Sequence, residues 1–385
     1  MIEDSKILIS LGGIPAISEV AIMWQALQEQ SDHSFFTSWA WIGCWLTSLP
    51  ESFSPLLLKA EMSGRIVGMG ILFAKHRPQL KVFSTPAFYL NATGDAYFDE
   101  ITIEYNGFLL DRSAPTKIAK QLLNFLFSST EYRCDEVFIH GSTNAPSMQQ
   151  TIPSGTRLLV PRARGCYSVN LDELRESKKA YISTLGSTRR YNIRRSLKEY
   201  ELIAPLKMTV AESMDEGVYF LAELQRLHQA YWKGKDATGA FGNPFFEKFV
   251  HQLVITLFTK GLVQLIRVSA GESVIGYLLN FVYLGHVYQY QSGFDYNVCE
   301  KYNGPGYVCH LYAVEHNLRC GHHTYDYMAG ESDYKKAMGV LSTELSWQVV
   351  QRETLGFKIE DHIRHAVRKL RNLAKNQTFF GSKSA

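Results

Sequence analysis

The sequence predicts an α/β protein of the α+β type, built as two tandem halves. Each half should be a mixed, mostly antiparallel sheet flanked by helices. Three observations lead there. The chain has 385 residues, more than one hydrophobic core usually organises. Strand-like alternation and helix-like periodicity interleave through both halves. The hairpin Ser63-Gly64-Arg65-Ile66-Val67-Gly68 is echoed by Ala270-Gly271-Glu272-Ser273-Val274-Ile275-Gly276, which fits a duplicated α/β unit better than a short-period repeat. We place the boundary at Gly165, giving halves 1–165 and 166–385.

In the first half, the aromatic stretch around Ile22 to Leu46 carries Trp24, Phe35, Phe36, Trp39, Trp41 and Trp45 and reads as two core helices. Residues 54–61 and 65–76 flank a turn at Met62-Ser63-Gly64 and read as a hairpin. Strands are expected over LKVFSTPAFYL, over ITIEYNGFLL (101–110) and over EVFIHG (136–141). The helix at 115–127 has Ile118, Leu122 and Phe125 on one face.

The second half opens with a strand at 166–171 and a basic helical region around Gly186. Helices follow at 217–232 and 244–258, the latter capped by Asn243 with Pro244 at its first position. Strands are expected at 262–270, 273–285 and 286–294. A helix at 304–321 should end at Gly321. Strands at 324–330 and 340–353 precede a basic amphipathic helix at 358–377.

Composition narrows the function. A formal net charge of +3 does not indicate a globally basic nucleic-acid binder, so DNA is not an expected partner. The six cysteines form no C-x-x-C pair, which gives little support to a metal site and suits a reducing compartment. The opening MIEDSKILISLGG lacks a basic stretch followed by a long apolar run, and no apolar stretch is long enough for a membrane span. A cytoplasmic location is expected, with access to envelope precursors on the inner face of the membrane.

The most informative motif is Lys301-Tyr302-Asn303-Gly304-Pro305-Gly306, which follows an aromatic strand and opens a helix. A pyrophosphate needs several backbone N–H groups pointing one way, and a helix start supplies them with the dipole behind. Glycines allow close approach of the backbone. Pro305 has no N–H, so Gly304, Gly306, Tyr307 and Val308 are the expected donors.

Here the chain resembles the GNAT superfamily, whose pyrophosphate loop reads Gln/Arg-x-x-Gly-x-Gly/Ala. Lys301 departs from the first position but keeps the charge. The resemblance is closest to the CelD/BcsL-like and FemAB-like acyltransferases, which carry two GNAT-like halves and are associated with exopolysaccharide and cell-envelope synthesis. It rests on several segments in order: the aromatic opening; Glu104-Tyr105-Asn106-Gly107; the helix from Ser187 to Ser196; Gly276-Tyr277; Gly304-Pro305-Gly306; and Asp326-x-x-x-Gly330 followed by Tyr334-Lys335.

The resemblance implies acyl-CoA, with acetyl-CoA the expected form, as co-substrate. The C-terminal half would bind it through Gln289, Tyr290, Gln291, Lys301, Asn303, Gly304, Gly306 and Tyr307, and no metal is implied. Transfer would proceed by direct attack on the thioester. Asp326 or Glu331 would act as base, Tyr334 as acid, and Lys335 would face the acyl group. The N-terminal half would shape the acceptor cleft.

Arg190 and Arg194 share a helix face and suit a phosphate or carboxylate on the acceptor. Tyr105, Asn106, His228 and Trp232 are further candidates for acceptor binding. The C-terminal helix combines Ile363, Val367, Leu370 and Leu373 with Arg364, Arg368, Lys369, Arg371 and Lys375. It would dock on the second half or touch an anionic membrane surface.

Three functions follow in order. The first is acyl transfer to an amine or hydroxyl of a saccharide or cell-envelope precursor, such as a nucleotide-sugar or lipid-linked one. The second is aminoacyl transfer from charged tRNA, as in FemAB-like enzymes. The third is a non-catalytic GNAT-fold subunit of a polysaccharide system.

Overall fold

A computed structural model of the chain describes residues 6–79, 83–143, 148–299, 304–363 and 369. In chain order its first half comprises β1 (Ile7–Gly13), α1 (Ile17–Gln28), α2 (Trp39–Ser48), β2 (Leu56–Met62), β3 (Arg65–Gln79), β4 (Phe83–Leu90), β5 (Leu109–Leu110), α3 (Pro115–Ser128) and β6 (Glu136–Ser142). The second comprises β7 (Thr156–Asn170), α4 (Leu171–Ser177), α5 (Ser187–Glu201), β8 (Leu206–Val210), α6 (Met214–Lys233), α7 (Pro244–Leu257), β9 (Val263–Ala270), β10 (Ser273–Tyr283), β11 (His286–Phe294), α8 (Pro305–Arg319), β12 (Thr324–Ala329), α9 (Asp333–Met338) and β13 (Val340–Arg352).

The two sets of strands join in one sheet, ordered β1-β2-β3-β4-β6-β13-β7-β12-β11-β10-β9-β8, with β5 on β3. Pairing is antiparallel except at β4 with β6 and β11 with β12, which run parallel for three residues each. The last strand joins the halves. β13 pairs with β6 on one side (Val350 opposite Val137) and with β7 on the other (Val350 opposite Leu158). β7 runs unbroken through Gly165, beginning ten residues before the strand expected at 166.

The aromatic opening packs as its composition demands. Trp24, Trp41, Trp45, Phe35 and Phe36 are all buried, and they share one core with Phe249, Leu253, Phe281 and Tyr288 of the second half. Truncating any of these large aromatics to alanine costs about 3–5 kcal/mol. Separate cores lie under α3 in the first half and under α5 and α8 in the second. α7 begins as expected, with Asn243 Oδ1 accepting from the Phe245 and Phe246 amides.

One element differs from expectation in a way that matters. Residues 101–108 alternate like a strand but form an irregular loop, and only Leu109–Leu110 pair. Thr102 and Tyr105 sit in the left-handed region (φ 53° and 52°), which no strand accommodates. The loop is held by Asn106, whose Oδ1 accepts from Asn91 Nδ2 at 2.9 Å and whose Nδ2 donates to the Leu90 carbonyl at 3.0 Å. It turns Glu104 and Tyr105 into the second half.

Candidate functional site

β11 and β12 pair only from His286 opposite Thr324 to Tyr288 opposite Asp326, then part. β11 continues along β10 with an irregularity between Leu279 and Asn280, where Tyr290 has no partner in the register. The opened gap leads into a cleft of about 520 Å³. Its floor is Gln291–Phe294, one wall is Gly304–Tyr307 at the start of α8, and the other is His228, Tyr231 and Trp232 of α6. Close approach explains two glycines. A Cβ on Gly293 would stand 2.2 Å from the Leu224 carbonyl oxygen of α6, and one on Gly304 would stand 2.9 Å from the Tyr307 ring.

Gly304 and Gly306 thus stand at a helix start that opens onto the cleft, as an anion cradle requires. The Tyr307 and Val308 amides already donate to the Gly304 carbonyl, so two of the four expected donors are used within the helix. Lys301 and Asn303 lie outside the described residues. The cation that the structure sets against this loop is Arg189, its guanidinium 4.3 Å from the Tyr307 ring centroid. Arg190 instead donates to the Ser183 and Leu185 carbonyls, at 3.2 and 2.6 Å, and locks the preceding turn. Arg194 is exposed. Two residues of one helical turn were separable only by knowing which face packs on α8.

At its inner end the cleft shares Gln291, Ser292 and Tyr334 with a small polar chamber, also lined by Glu104, Gln289 and Lys335. Here the halves meet. Asp326 is 1% exposed and accepts at Oδ1 from the Met328 amide at 2.6 Å. Its Oδ2 accepts a short bond from the Tyr105 hydroxyl and lies 3.1 Å from His286 Nε2. Met328 takes a left-handed conformation (φ 63°), which turns the chain around that carboxylate. Burial and the Asp326 charge hold the Tyr105 phenol protonated.

Glu104 and Lys335 form the other part of the cluster. Glu104 Oε2 accepts from the Ala329 amide at 2.8 Å, and Lys335 Nζ donates to the Ala329 carbonyl at 2.8 Å. Burial raises the Glu104 carboxyl to about 7 against the pull of Lys335. Burial lowers the Lys335 ammonium, opposed by Glu104 and Asp326. A buried carboxyl poised near neutrality beside a cationic donor is the combination that proton transfer uses. The sequence reading named Tyr105 and passed over Glu104, because the 101–110 segment read as a strand. A carboxylate beside Tyr105 in the family-like Glu104-Tyr105-Asn106-Gly107 segment was the signal available.

The other candidates separate clearly. Tyr334 lies between cleft and chamber, donates toward Gln289 Oε1 at 3.4 Å and stacks on the buried His310 ring, the centroids 5.5 Å apart. Glu331 is turned to solvent and pairs with Lys336 at 2.6 Å, so the base expected there is not in the cluster. Tyr290 is half-buried, donates to the Ile101 carbonyl at 2.7 Å, and so fastens the first half's loop while lining the small chamber rather than the main cleft. Asn106 is buried, and its side-chain amide is engaged by Asn91 and the Leu90 carbonyl. Trp232 Nε1 donates to His228 Nε2 at 3.0 Å, and both residues line the main cleft rather than a separate pocket. Burial lowers the His228 imidazolium, which keeps that ring neutral as an acceptor.

Residues 187–336, which hold the cleft and most of the cluster, match the family model of the acetyltransferase (GNAT) domain. The chain thus carries a GNAT-like segment over about two fifths of its length. Its fold extends the likeness beyond that domain. The crystal structure of FemX covers 92% of this chain and 99% of its own, at 12% identity and a TM-score of 0.56. The C-terminal domain of a candidate lysylphosphatidylglycerol synthetase from Agrobacterium fabrum covers 87% and 92%, at 10% identity and a TM-score of 0.52. A conserved protein of unknown function from Bacteroides thetaiotaomicron covers 89% and 100%, at 12% identity and 0.52. At these identities the likeness is one of fold. No curated protein matches the chain. That segment is similar to a domain of the acyltransferase class.

Proposed function

We propose that the protein transfers an acyl group, acetyl in the simplest case, from acyl-CoA to an amine or hydroxyl of a saccharide or cell-envelope precursor. The observation that carries this reading is the continuity of one cleft. It runs from the glycine-flanked start of α8 to the chamber where Glu104 meets Lys335. Gly304 and Gly306 with Arg189 would hold the pyrophosphate, and the unpaired length of β11 beside Gln291 and Ser292 would hold the pantetheine arm. Acyl-CoA, when bound, supplies the activated thioester.

The chain's own groups then divide the work. Glu104, poised near neutral pH, takes the proton from the acceptor. Lys335, held by the Ala329 carbonyl, faces the developing oxyanion. Tyr334, at the join of cleft and chamber, protonates the departing thiolate. Asp326 is saturated by Tyr105, His286 and the Met328 amide, so it fixes Tyr105 and the loop that carries Glu104. The two halves would therefore be the two sides of the reaction, in keeping with 1–165 as acceptor side and 166–385 as donor side.

A second reading has one observation behind it. The chamber beyond the cleft is small, polar and carries a carboxylate, which would also suit the ammonium of an aminoacyl group from charged tRNA. A fold shared with a candidate lysylphosphatidylglycerol synthetase domain keeps that reading in play.

Calorimetric titration with acetyl-CoA at low ionic strength decides between them. One saturable site per chain, lost in Ser292→Trp, supports the CoA reading, because Ser292 lines the join between cleft and chamber. Absence of binding by the folded wild type removes it and shifts the assay to charged tRNA.

A further inference from the structure

Beyond β13 the chain is helical over the described residues 355–363. One side is tied to the body. Phe357 and Glu360 are buried, Glu360 lies 3.6 Å from Arg77, and Asp361 pairs with Arg157 at 2.5 Å. The opposite side presents Leu355, Ile359 and Ile363 to solvent at 79%, 55% and 43% exposure. Their spacing of four residues aligns them in one stripe. Lys358, His362 and Lys369 are exposed around or beyond it. Both acidic residues of the segment are directed into ion pairs with the body. No acidic residue follows Asp361 in the sequence, while Arg364, Arg368, Lys369, Arg371 and Lys375 do.

The geometry points to this helix as a docking face for an anionic lipid surface. An aliphatic stripe bordered by cations, with its acids neutralised on the far side, is the arrangement an interfacial helix needs. A second copy of the chain fits less well, since a two-fold contact would bring the same cations together. The docking face is separate from the cleft and does not depend on the reaction performed there. It would place the protein at the membrane surface. No helix among the described residues is long and apolar enough to cross one.

The test is co-sedimentation of the full chain with large unilamellar vesicles. Pure phosphatidylcholine is compared with phosphatidylcholine containing a quarter phosphatidylglycerol, at low and high salt. Binding is expected only to the anionic vesicles and should weaken with salt. The double variant Leu355→Asp/Ile359→Asp, checked for an unchanged thermal melt, should lose more than about tenfold in partitioning. Lys358→Gln/Lys369→Gln should lose several-fold. Failure to bind anionic vesicles, equal binding to neutral ones, or full binding by the aspartate variant overturns the assignment. So does a dimer that Ile359→Asp dissociates and that ignores vesicles, which would make the stripe a subunit interface.

Discussion

Each half of the molecule has a pair of parallel strands in an otherwise antiparallel sheet, and the two halves use it differently. In the second half the strands part after Asp326, and the gap leads to a glycine-flanked helix start. In the first half the pair is Ala87–Tyr89 against 136–138, and it closes on a stacked pair of rings. Tyr89 stacks on Phe138 with centroids 4.5 Å apart and planes 8° apart. The backbone donors near the helix start are taken by the chain's own carboxylates. Asp99 accepts from the Thr93 and Gly94 amides at 2.7 and 2.8 Å and from the Thr93 hydroxyl at 2.9 Å. Asp111 accepts from the Ser113 amide and hydroxyl at 2.9 and 2.6 Å. The same frame reads as an anion site where glycines leave donors accessible, and as a closed structural corner where aspartates occupy them.

This contrast breaks most sharply at the chamber, where the first half contributes Glu104. Glu104→Gln should lower kcat by about 10²–10⁴ with the KM for acyl-CoA little changed, measured as CoA thiol release. Wild-type kcat should rise with pH through about 7 as the Glu104–Lys335 pair loses its proton, and that limb should vanish in the glutamine variant. Stability should run the other way. A carboxyl raised from 4.5 to about 7 by burial favours the fold at low pH, and that contribution is lost as pH climbs through 7. Glu104→Gln should therefore flatten the fall of Tm between about pH 4.5 and 7. A variant that keeps both the rate and the acidic limb would remove Glu104 from the chemistry.

Lys335→Ala comes next, with an expected loss of about 10²–10³ in kcat. Asp99→Ala tests the closed half. It should destabilise by roughly 1–3 kcal/mol, because the Thr93 and Gly94 amides lose their acceptor. The calorimetric stoichiometry for acetyl-CoA should stay at one. A second site appearing in that variant would show that the aspartate alone had been filling a working cradle. The smallest effect is expected for Glu331→Gln, which is exposed and bonded to Lys336 and the Gly165 backbone at the surface. Rate should be unchanged and stability within about 0.5 kcal/mol.

Much of this was legible from residues alone, and the misses have a common cause. Period and punctuation located the hairpins, the Asn243 cap and the Gly304–Gly306 helix start, because these depend on neighbours in sequence. That Asp326 and Lys335 lie near one another was legible because a strand end and the following helix are close in the chain. Glu104 was missed because two residues in the left-handed region, Thr102 and Tyr105, convert an alternating segment into a loop. Nothing in the pattern I-T-I-E-Y-N announces that, since neither residue is glycine. Arg190 and Arg194 were read as one face for an anionic acceptor, and that Arg190 turns instead to the Ser183 and Leu185 carbonyls depends on packing the pattern does not show. The common sheet was not foreseen either. Strand patterning gives face and length, but not which distant strand lies alongside.

The placement of β13 has a consequence for biosynthesis. The sheet of the first half borders a strand that leaves the ribosome only after some two hundred further residues have been made. Until residues 340–352 emerge, β6 carries an open edge beside a nearly complete aromatic core, a state prone to mispairing. The order of synthesis thus delays closure of the first half until the second is translated, and a fragment ending near Gly165 should need the C-terminal strand supplied separately to become soluble.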